Sequence, residues 1–145
     1  MQIEKASVVT DELYRALQRL IPQLTTNKVA PNWDELSALV NSEASTLLIA
    51  REPGGNSEIV GILTLVIYRV PTGLQSIVED VVVDEGMRGH GIGKALMFHA
   101  IELARKAGAG GLSLTSNPRR EAANHLHRSI GFNRRETNAY YLDLK

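Results

Sequence analysis

The sequence has no cysteine among its 145 residues, and this absence limits both its structure and its chemistry. Without thiols the chain can form no disulfide and no thiolate metal site. A covalent acyl-thioester on the protein is also excluded, so an acyl group would pass directly from its donor to the acceptor. Because disulfides mark oxidising compartments, their absence leads us to expect a cytoplasmic location.

Net charge and long apolar segments are lacking as well. Sixteen basic and sixteen acidic side chains cancel, so no overall field attracts nucleic acid or an anionic membrane. The longest apolar stretch, Ile59 to Tyr68, is shorter than the about 20 residues that a membrane-spanning helix needs. We therefore expect no nucleic-acid partner and no membrane partner. The length of 145 residues leads us to expect a single domain over residues 1–145.

The clearest organisation lies between Ile77 and Ala107. Ile77 to Val83 is a β-branched run typical of a buried strand. Arg88 to Gly93 places three glycines in six residues, and Lys94 to Ala107 has apolar residues at helical spacing. The sequence therefore predicts a strand that leads through a glycine-rich loop into a helix.

This arrangement favours the binding of an anion. The first turn of a helix has amides without internal partners, and glycines let an anion approach them closely. Arg88 and Lys94 add positive charge, so we expect a phosphate or pyrophosphate, the alternative being a tight turn that binds nothing. A Walker A loop is excluded by Arg88 and Ala95, and a dinucleotide fingerprint by Lys94 and Leu96, which occupy positions where those motifs need other residues.

The flanking segments show ordinary strand and helix signals. Helices are predicted after the N-caps Thr10 and Asn32, with Pro22 ending or kinking the first. The pattern predicts further strands at Met1–Ala6, Thr46–Arg51, Ile59–Val70, Leu112–Ser116 and Tyr140–Leu144, and a helix at Glu121–Ile130. The second and third of these strands read as an antiparallel hairpin, whereas Leu112–Ser116 should lie parallel to Ile77–Val83 across a helical crossover.

Two signatures resemble one known family. Arg88, Gly91 and Gly93 follow a valine-rich strand at the spacing of the acyl-CoA loop of the GNAT superfamily of N-acetyltransferases. Further along, a second signature of that superfamily is matched at the same spacing by Arg120, Ala123, His127, Gly131 and Phe132. The two signatures cover residues 77–132, in the family's order.

The resemblance implies an α/β (α+β) fold: a mixed, mainly antiparallel sheet flanked by helices, with a splayed parallel strand pair. It implies acetyl-CoA as cosubstrate and no metal, and it makes a homodimer one expectation. The pantetheine arm would pair with the backbone of Val81, Val82 and Val83. The pyrophosphate would lie on the amides of Arg88, Gly89, His90, Gly91, Ile92, Gly93 and Lys94, and the arm would be flanked by Asn117, Arg120 and Ala123.

The catalytic assignments rest on departures from the family pattern. Many members have a tyrosine that protonates the departing thiolate, and this chain has His127 there; the alternative is that His127 only packs against CoA. A base that some members carry on the next strand is replaced by Thr115. Glu79 is then expected to be the base through water, because a carboxylate within a valine-rich strand is not there for packing. The alternative is a structural, ion-paired carboxylate.

Strand alternation places Glu79 and Asp80 on opposite faces, with Asp80 beside Val78 and Val82. The remaining histidines, His90, His99 and His125, lack the spacing of metal ligands. Trp33 either lines an acceptor pocket or packs a connector against the core.

The sequence thus predicts an acetyl-CoA-dependent N-acetyltransferase that acts directly on a primary amine of a small molecule. Two alternatives stay open. One is a catalytically weak CoA-binding sensor or regulatory module, and the other is an acetyltransferase of protein N-termini or lysines, which would need an open acceptor groove.

Overall fold

The computed structural model describes residues 2–54 and 57–145. Residues up to Thr115 form one unit, and Ser116–Lys145 form a second. Within the described residues, no helix is long and apolar enough to cross a membrane.

One five-stranded sheet organises the first unit, with its strands side by side in the order of the sequence. The elements of this unit are β1 (Gln2–Lys5), α1 (Asp11–Leu24), α2 (Trp33–Val40), β2 (Ser45–Arg51), β3 (Ile59–Val70), β4 (Gly73–Val83), α3 (Ile92–Ala107) and β5 (Leu112–Ser113). Successive strands from β1 to β4 pair antiparallel, and β5 pairs parallel with β4. The mixed, mainly antiparallel sheet is therefore confirmed.

Helices α1 and α2 cover one face of this sheet. Their buried side chains pack on Leu47, Ile49, Ile62 and Val82, and each fully buried leucine contributes about 1.5–3 kcal/mol of hydrophobic stabilisation. Both predicted caps are confirmed. The Thr10 hydroxyl accepts from the Leu13 amide, and Asn32 forms a capping box with Glu35. Pro22 does not end α1, which continues to Leu24.

Helix α3 covers the other face, above β2, β3 and β4. Its buried side chains are Ile92, Leu96, Met97, Ala100 and Ala104. Beneath its first turn lies Gly61 of β3, where an added Cβ would be 3.2 Å from both Ile92 and Leu96. The absence of a side chain at position 61 therefore lets the start of α3 approach the sheet closely.

A β-bulge interrupts β4 beside the predicted base. Val82 is opposite Ile62 and Glu79 is opposite Thr64, so β4 has one more residue than β3 between these pairs. Asp80 within the bulge has φ +50°, in the left-handed region that Asp tolerates better than most residues. The predicted alternation is wrong here: Glu79 shares the face of Val82, because their partners Thr64 and Ile62 lie on one face of β3.

The second unit contains α4 (Glu121–Ile130), which ends at Gly131 as predicted. The predicted strand at Tyr140–Leu144 is wrong. These residues form no strand, and the side chains of Tyr140, Tyr141, Leu142 and Leu144 are 80–90% exposed. An alternating pattern makes a strand only where a neighbouring backbone supplies hydrogen bonds, and local sequence does not reveal whether one is there.

We predict that Gly61→Val destabilises the protein by about 1–3 kcal/mol, because the added methyl groups must displace Ile92 and Leu96 from a close-packed contact. Urea unfolding measures this loss, with Gly61→Ala expected to fall between the wild type and the valine variant. A valine variant as stable as the wild type would show that α3 does not need this close approach.

Candidate active site

The start of α3 presents free backbone donors. Gly91 caps the helix in the left-handed conformation, with φ +79°. The amide of Ala95 donates to the Gly91 carbonyl at 3.0 Å as the first bond of the helix. The amides of Ile92, Gly93 and Lys94 therefore have no partner within the helix, and they carry its partial positive charge.

Space above these donors is open. A Cβ built on Gly89 or Gly91 would meet no heavy atom within 4 Å, and both residues have positive φ. Arg88, His90 and Lys94 are exposed, whereas Ile92 is buried and anchors the turn. An anion could therefore reach the amides without displacing protein atoms.

The loop before α3 is ordered by its own contacts. Arg88 Nε donates to the Val83 carbonyl at 3.2 Å. His90 Nδ1 lies 3.1 Å from the carbonyls of both Met87 and Arg88, so this nitrogen carries the proton. The ammonium of Lys94 lies 5.8 Å from the ring centroid of Phe98.

Two side chains of α1 fix the beginning of this loop, and sequence reasoning missed both. Gln23 Oε1 accepts from the amide of Glu85 at 2.8 Å, and Arg19 Nε donates to Asp84 Oδ2 at 3.3 Å. Arg19 and Gln23 are one helical turn apart and lie beside the apolar stripe of α1. That spacing of polar residues was the only sequence signal that both side chains act at the same place.

One edge of β4 is unpaired beside the loop. Within the described residues, β5 pairs with β4 only at Ser76 and Ile77. From Val78 to Val83 that edge has no neighbouring strand, so backbone groups of Val81 and Val82 are available to an extended ligand. The predicted parallel pairing is confirmed, but the strand is shorter than the predicted Leu112–Ser116.

Glu79 lies on β4 with an exposed side chain. Among the described residues its carboxylate takes part in no ion pair and no side-chain hydrogen bond, which argues against a purely structural role. Partial burial raises the pKa of Glu79 above its usual value, and the neighbouring Asp80 carboxylate adds to the rise. Such a carboxyl group is a stronger base than an ordinary glutamate.

A cavity of about 240 Å³ lies within the first unit, on the face covered by α1 and α2. Its walls include Val29 and Pro31 of the connector between these helices, which Gln18 holds by donating to the Pro31 carbonyl at 3.0 Å. Trp33 is not part of the lining. It packs against Tyr14 with ring centroids 5.6 Å apart, so the interpretation in which Trp33 packs the connector is the one observed.

The second unit carries the remaining predicted residues. Asn117 Oδ1 accepts from the Arg119 amide, and the Asn117 carbonyl accepts from the Arg120 amide and the Asn124 side chain. Asn117 thereby builds the start of α4, with Ala123 in its first turn. Sequence reasoning did not foresee this structural use of Asn117.

His127 of α4 packs edge-on against Phe132, with ring centroids 6.0 Å apart. Its Nδ1 is buried and has no hydrogen-bond partner in the part of the chain that the structure describes. Partial burial lowers the pKa of His127 below its usual value, and the positive charge of Arg120 lowers it further. The lowered pKa favours the neutral imidazole, which can donate one N–H.

Metal ligands do not cluster in residues 2–54 and 57–145, where no group of three or more His, Asp or Glu side chains could hold an ion. In the first unit, the described groups open to a ligand are the amides and cations at the start of α3 and the carboxyl group of Glu79. In the second unit, His127 offers an imidazole.

Comparison with known proteins gives a family match and a curated relative. Residues 11–132 match the acetyltransferase (GNAT) family. Streptothricin acetyltransferase from Streptomyces lavendulae is 46% identical over 55 residues, a match that covers 38% of this chain and 29% of the relative. The chain therefore spans less than a third of that protein.

Solved structures share the fold. A transcriptional regulator from Bacillus halodurans C-125 matches with a TM-score of 0.78 and 20% identity, over 99% of this chain and 100% of the other. An aminoglycoside acetyltransferase from an uncultured soil metagenomic sample, solved in complex with sisomicin, matches with a TM-score of 0.79 and 20% identity, over 99% and 96%. At these identities the likeness shows the fold alone.

The family match covers most of the chain and includes the glycine-rich start of α3 and the whole second signature. With its mixed sheet and the free amides of that helix, this chain belongs to the GNAT family of acetyltransferases.

Proposed function

We propose that this chain is an acetyl-CoA-dependent N-acetyltransferase that transfers the acetyl group directly to a primary amine of a small molecule. The observation that carries the proposal is the open cradle at the start of α3. This cradle consists of the unpartnered amides of Ile92, Gly93 and Lys94, the positive-φ glycines Gly89 and Gly91, and the exposed cationic side chains of Arg88 and Lys94 in the same segment.

The cradle fits the diphosphate of acetyl-CoA. The amides from Gly91 to Lys94 would bind phosphate oxygens, and the charges of Arg88 and Lys94 would neutralise them. The unpaired edge of β4 at Val81 and Val82 would pair with the amide groups of the pantetheine arm, as an added strand does. In the second unit, Asn117, Arg120 and Ala123 are the proposed contacts of the cosubstrate.

Glu79 supplies the base in this proposal. A typical alkyl amine is protonated at pH 7, so its nitrogen must lose a proton before it can attack. The raised pKa of Glu79 suits it to receive that proton through a water molecule. The amine nitrogen then bonds to the acetyl carbon while the bond from that carbon to sulfur breaks.

His127 is the proposed donor to the departing sulfur. A thiol has a pKa of about 8.5, so protonation assists the thiolate to leave. Because the pKa of His127 is lowered, the neutral imidazole and not the imidazolium is the donor. The variant His127→Phe distinguishes this role from packing alone, because it keeps the ring and removes both nitrogens.

A small-molecule acceptor is favoured by two observations. The cavity on the face covered by α1 and α2, although open to solvent at its mouth, has a volume of about 240 Å³, which is the scale of a small amine. The two named acetyltransferases among the relatives carry the names of small amine antibiotics. The alternative of a regulatory module is supported by the Bacillus halodurans structure, which is named a transcriptional regulator. A regulatory module would bind acetyl-CoA without turnover.

We expect Gly91→Ala to weaken acetyl-CoA binding about tenfold, because a side chain at φ +79° strains the backbone and enters the space above the amides. Calorimetry measures the affinity. Gly86→Ala is the matched control, since Gly86 lies in the same loop without a positive φ and with open space around it. Equal affinities of the two variants would contradict the cradle.

Glu79→Gln should lower kcat about 10²–10⁴-fold while acetyl-CoA binding is unchanged. CoA release over a panel of primary amines, with mass detection of the acetylated products, measures this, and Glu43→Gln is the exposed control. Wild-type protein that binds acetyl-CoA but releases no CoA above background with any amine would favour the regulatory alternative.

The pH dependence of the same reaction follows from the raised pKa of Glu79. The wild-type kcat should rise with pH through an acid limb that lies above the usual glutamate value. The stabilising effect of protonated Glu79 is present below its unfolded pKa and is lost as pH rises through the raised folded pKa. Glu79→Gln should therefore not lower the Tm at pH 7, and a lowered Tm would indicate a structural carboxylate.

His127→Phe keeps a ring against Phe132 and removes both nitrogens. If His127 donates to sulfur, kcat falls at least about tenfold while the KM for acetyl-CoA stays within about twofold. Steady-state kinetics separates these effects. Unchanged kcat would assign His127 a packing role only.

A further inference from the structure

The cavity behind β4 combines apolar walls with two carboxylates. Its apolar lining includes Leu17, Ile21, Leu39, Leu47 and Ile62, and its polar lining consists of Glu35, Thr64 and Asp80. No Lys, Arg or His side chain is among the described residues of the lining. The two carboxylates come from different elements, Glu35 from α2 and Asp80 from the bulge of β4.

Neither carboxylate has a cationic partner within residues 2–54 and 57–145. Glu35 Oε1 accepts from the Asn32 amide at 3.0 Å as part of the capping box, and no ion pair reaches Glu35 or Asp80. Some other acids of the first unit do form ion pairs: Asp84 pairs with Arg19, and Glu4 and Glu12 pair with Arg51. Both residues are exposed, and among the described lining residues no side-chain cation opposes their negative charge, which favours a cationic guest.

Asp80 of the lining lies in the bulge of β4. The extra residue of the bulge and the positive φ at position 80 interrupt the strand, and such bulges re-aim side chains beside active sites. Asp80 also follows Glu79 directly, so their Cα atoms are about 3.8 Å apart. A cation held at the cavity thus lies close to the proposed base.

Cavity size restricts the guest. A volume of about 240 Å³ corresponds to about eight water molecules and falls below the about 300 Å³ at which sites for drug-sized ligands begin. It has room for a short alkyl chain with one charged end, and its open mouth would leave the rest of a larger molecule in solvent. The apolar walls suit the chain, and Glu35 and Asp80 suit the charge.

We propose that this cavity binds the alkyl chain and the cationic second amino group of an aliphatic diamine, or of an aminoalkyl arm on a larger molecule, whose other amino group accepts the acetyl. The assignment deepens the proposed function and rests on it for the reaction. The reacting nitrogen loses its proton and forms the bond to the acetyl carbon, CoA leaves with sulfur, and the second amino group stays a bound cation.

Binding of three matched probes tests this assignment independently of catalysis. Cadaverine is an unbranched five-carbon diamine, pentylamine lacks its second amino group, and the corresponding amino acid has a carboxylate in its place. By calorimetry on the full chain with saturating CoA, cadaverine should bind about tenfold more tightly than pentylamine, and the amino acid most weakly.

Two conservative variants remove the charges while keeping the local structure. Glu35→Gln retains the capping box, which accepts Gln equally, and Asp80→Asn retains a residue that tolerates positive φ. Each should weaken cadaverine about fivefold or more and leave pentylamine unchanged. Asp34→Asn, an exposed carboxylate on the same first turn of α2, is the control and should change neither.

Failure of this inference is distinguishable from failure of the proposed function. If cadaverine does not bind, binds no better than pentylamine, or binds both variants as tightly as the wild type, the diamine site is refuted, whatever the turnover with other amines. If the predicted pattern of affinities is found but no amine yields CoA, the site stands and the acetyltransferase proposal fails.

Discussion

The close contact between Gly61 and the first turn of α3 is the constraint on which the candidate site depends. Because position 61 has no side chain, Ile92 and Leu96 pack directly on β3, and the unpartnered amides lie at the start of a helix whose other face is packed on the sheet. The packing of Ile92 and Leu96 on the core holds those amides in place. Little conformational entropy would therefore be lost there when an anion binds. A helix start held in this way suits a cosubstrate with a diphosphate.

A second constraint lies on the opposite face of the same sheet. The bulge at Asp80 changes which residues of β4 face α1 and α2, because Glu79 and Val82 lie on one face where regular alternation would place them on opposite faces. The proximity of Asp80 contributes to the raised pKa of Glu79. The bulge of β4 thus bears on both the proposed base and the proposed binding of a cation. Separately, Arg19 and Gln23 of α1 hold the beginning of the loop before α3.

Local patterns were sufficient for much of the fold. The caps at Thr10 and Asn32, the strand, glycine loop and helix around Gly91, and the bounds of α4 all follow from residues close together in the chain. Long-range features could not be predicted so. The hydrogen bond between Gln23 and Glu85 joins residues 62 positions apart. The bulge is visible only in the pairing of β4 with β3. The expected strand at Tyr140–Leu144 required a partner strand that the sequence does not specify. The pKa directions of Glu79 and His127 likewise depend on burial, which only the folded chain defines.

Backbone amide NMR during titration with CoA tests the central assignment most directly, because it reports on each donor separately. The account predicts that the amides from Gly91 to Lys94 shift most, and that pantetheine, which lacks the diphosphate, leaves them largely unshifted. Saturable binding of CoA with those amides unperturbed, and with the largest shifts elsewhere in the chain, would contradict it.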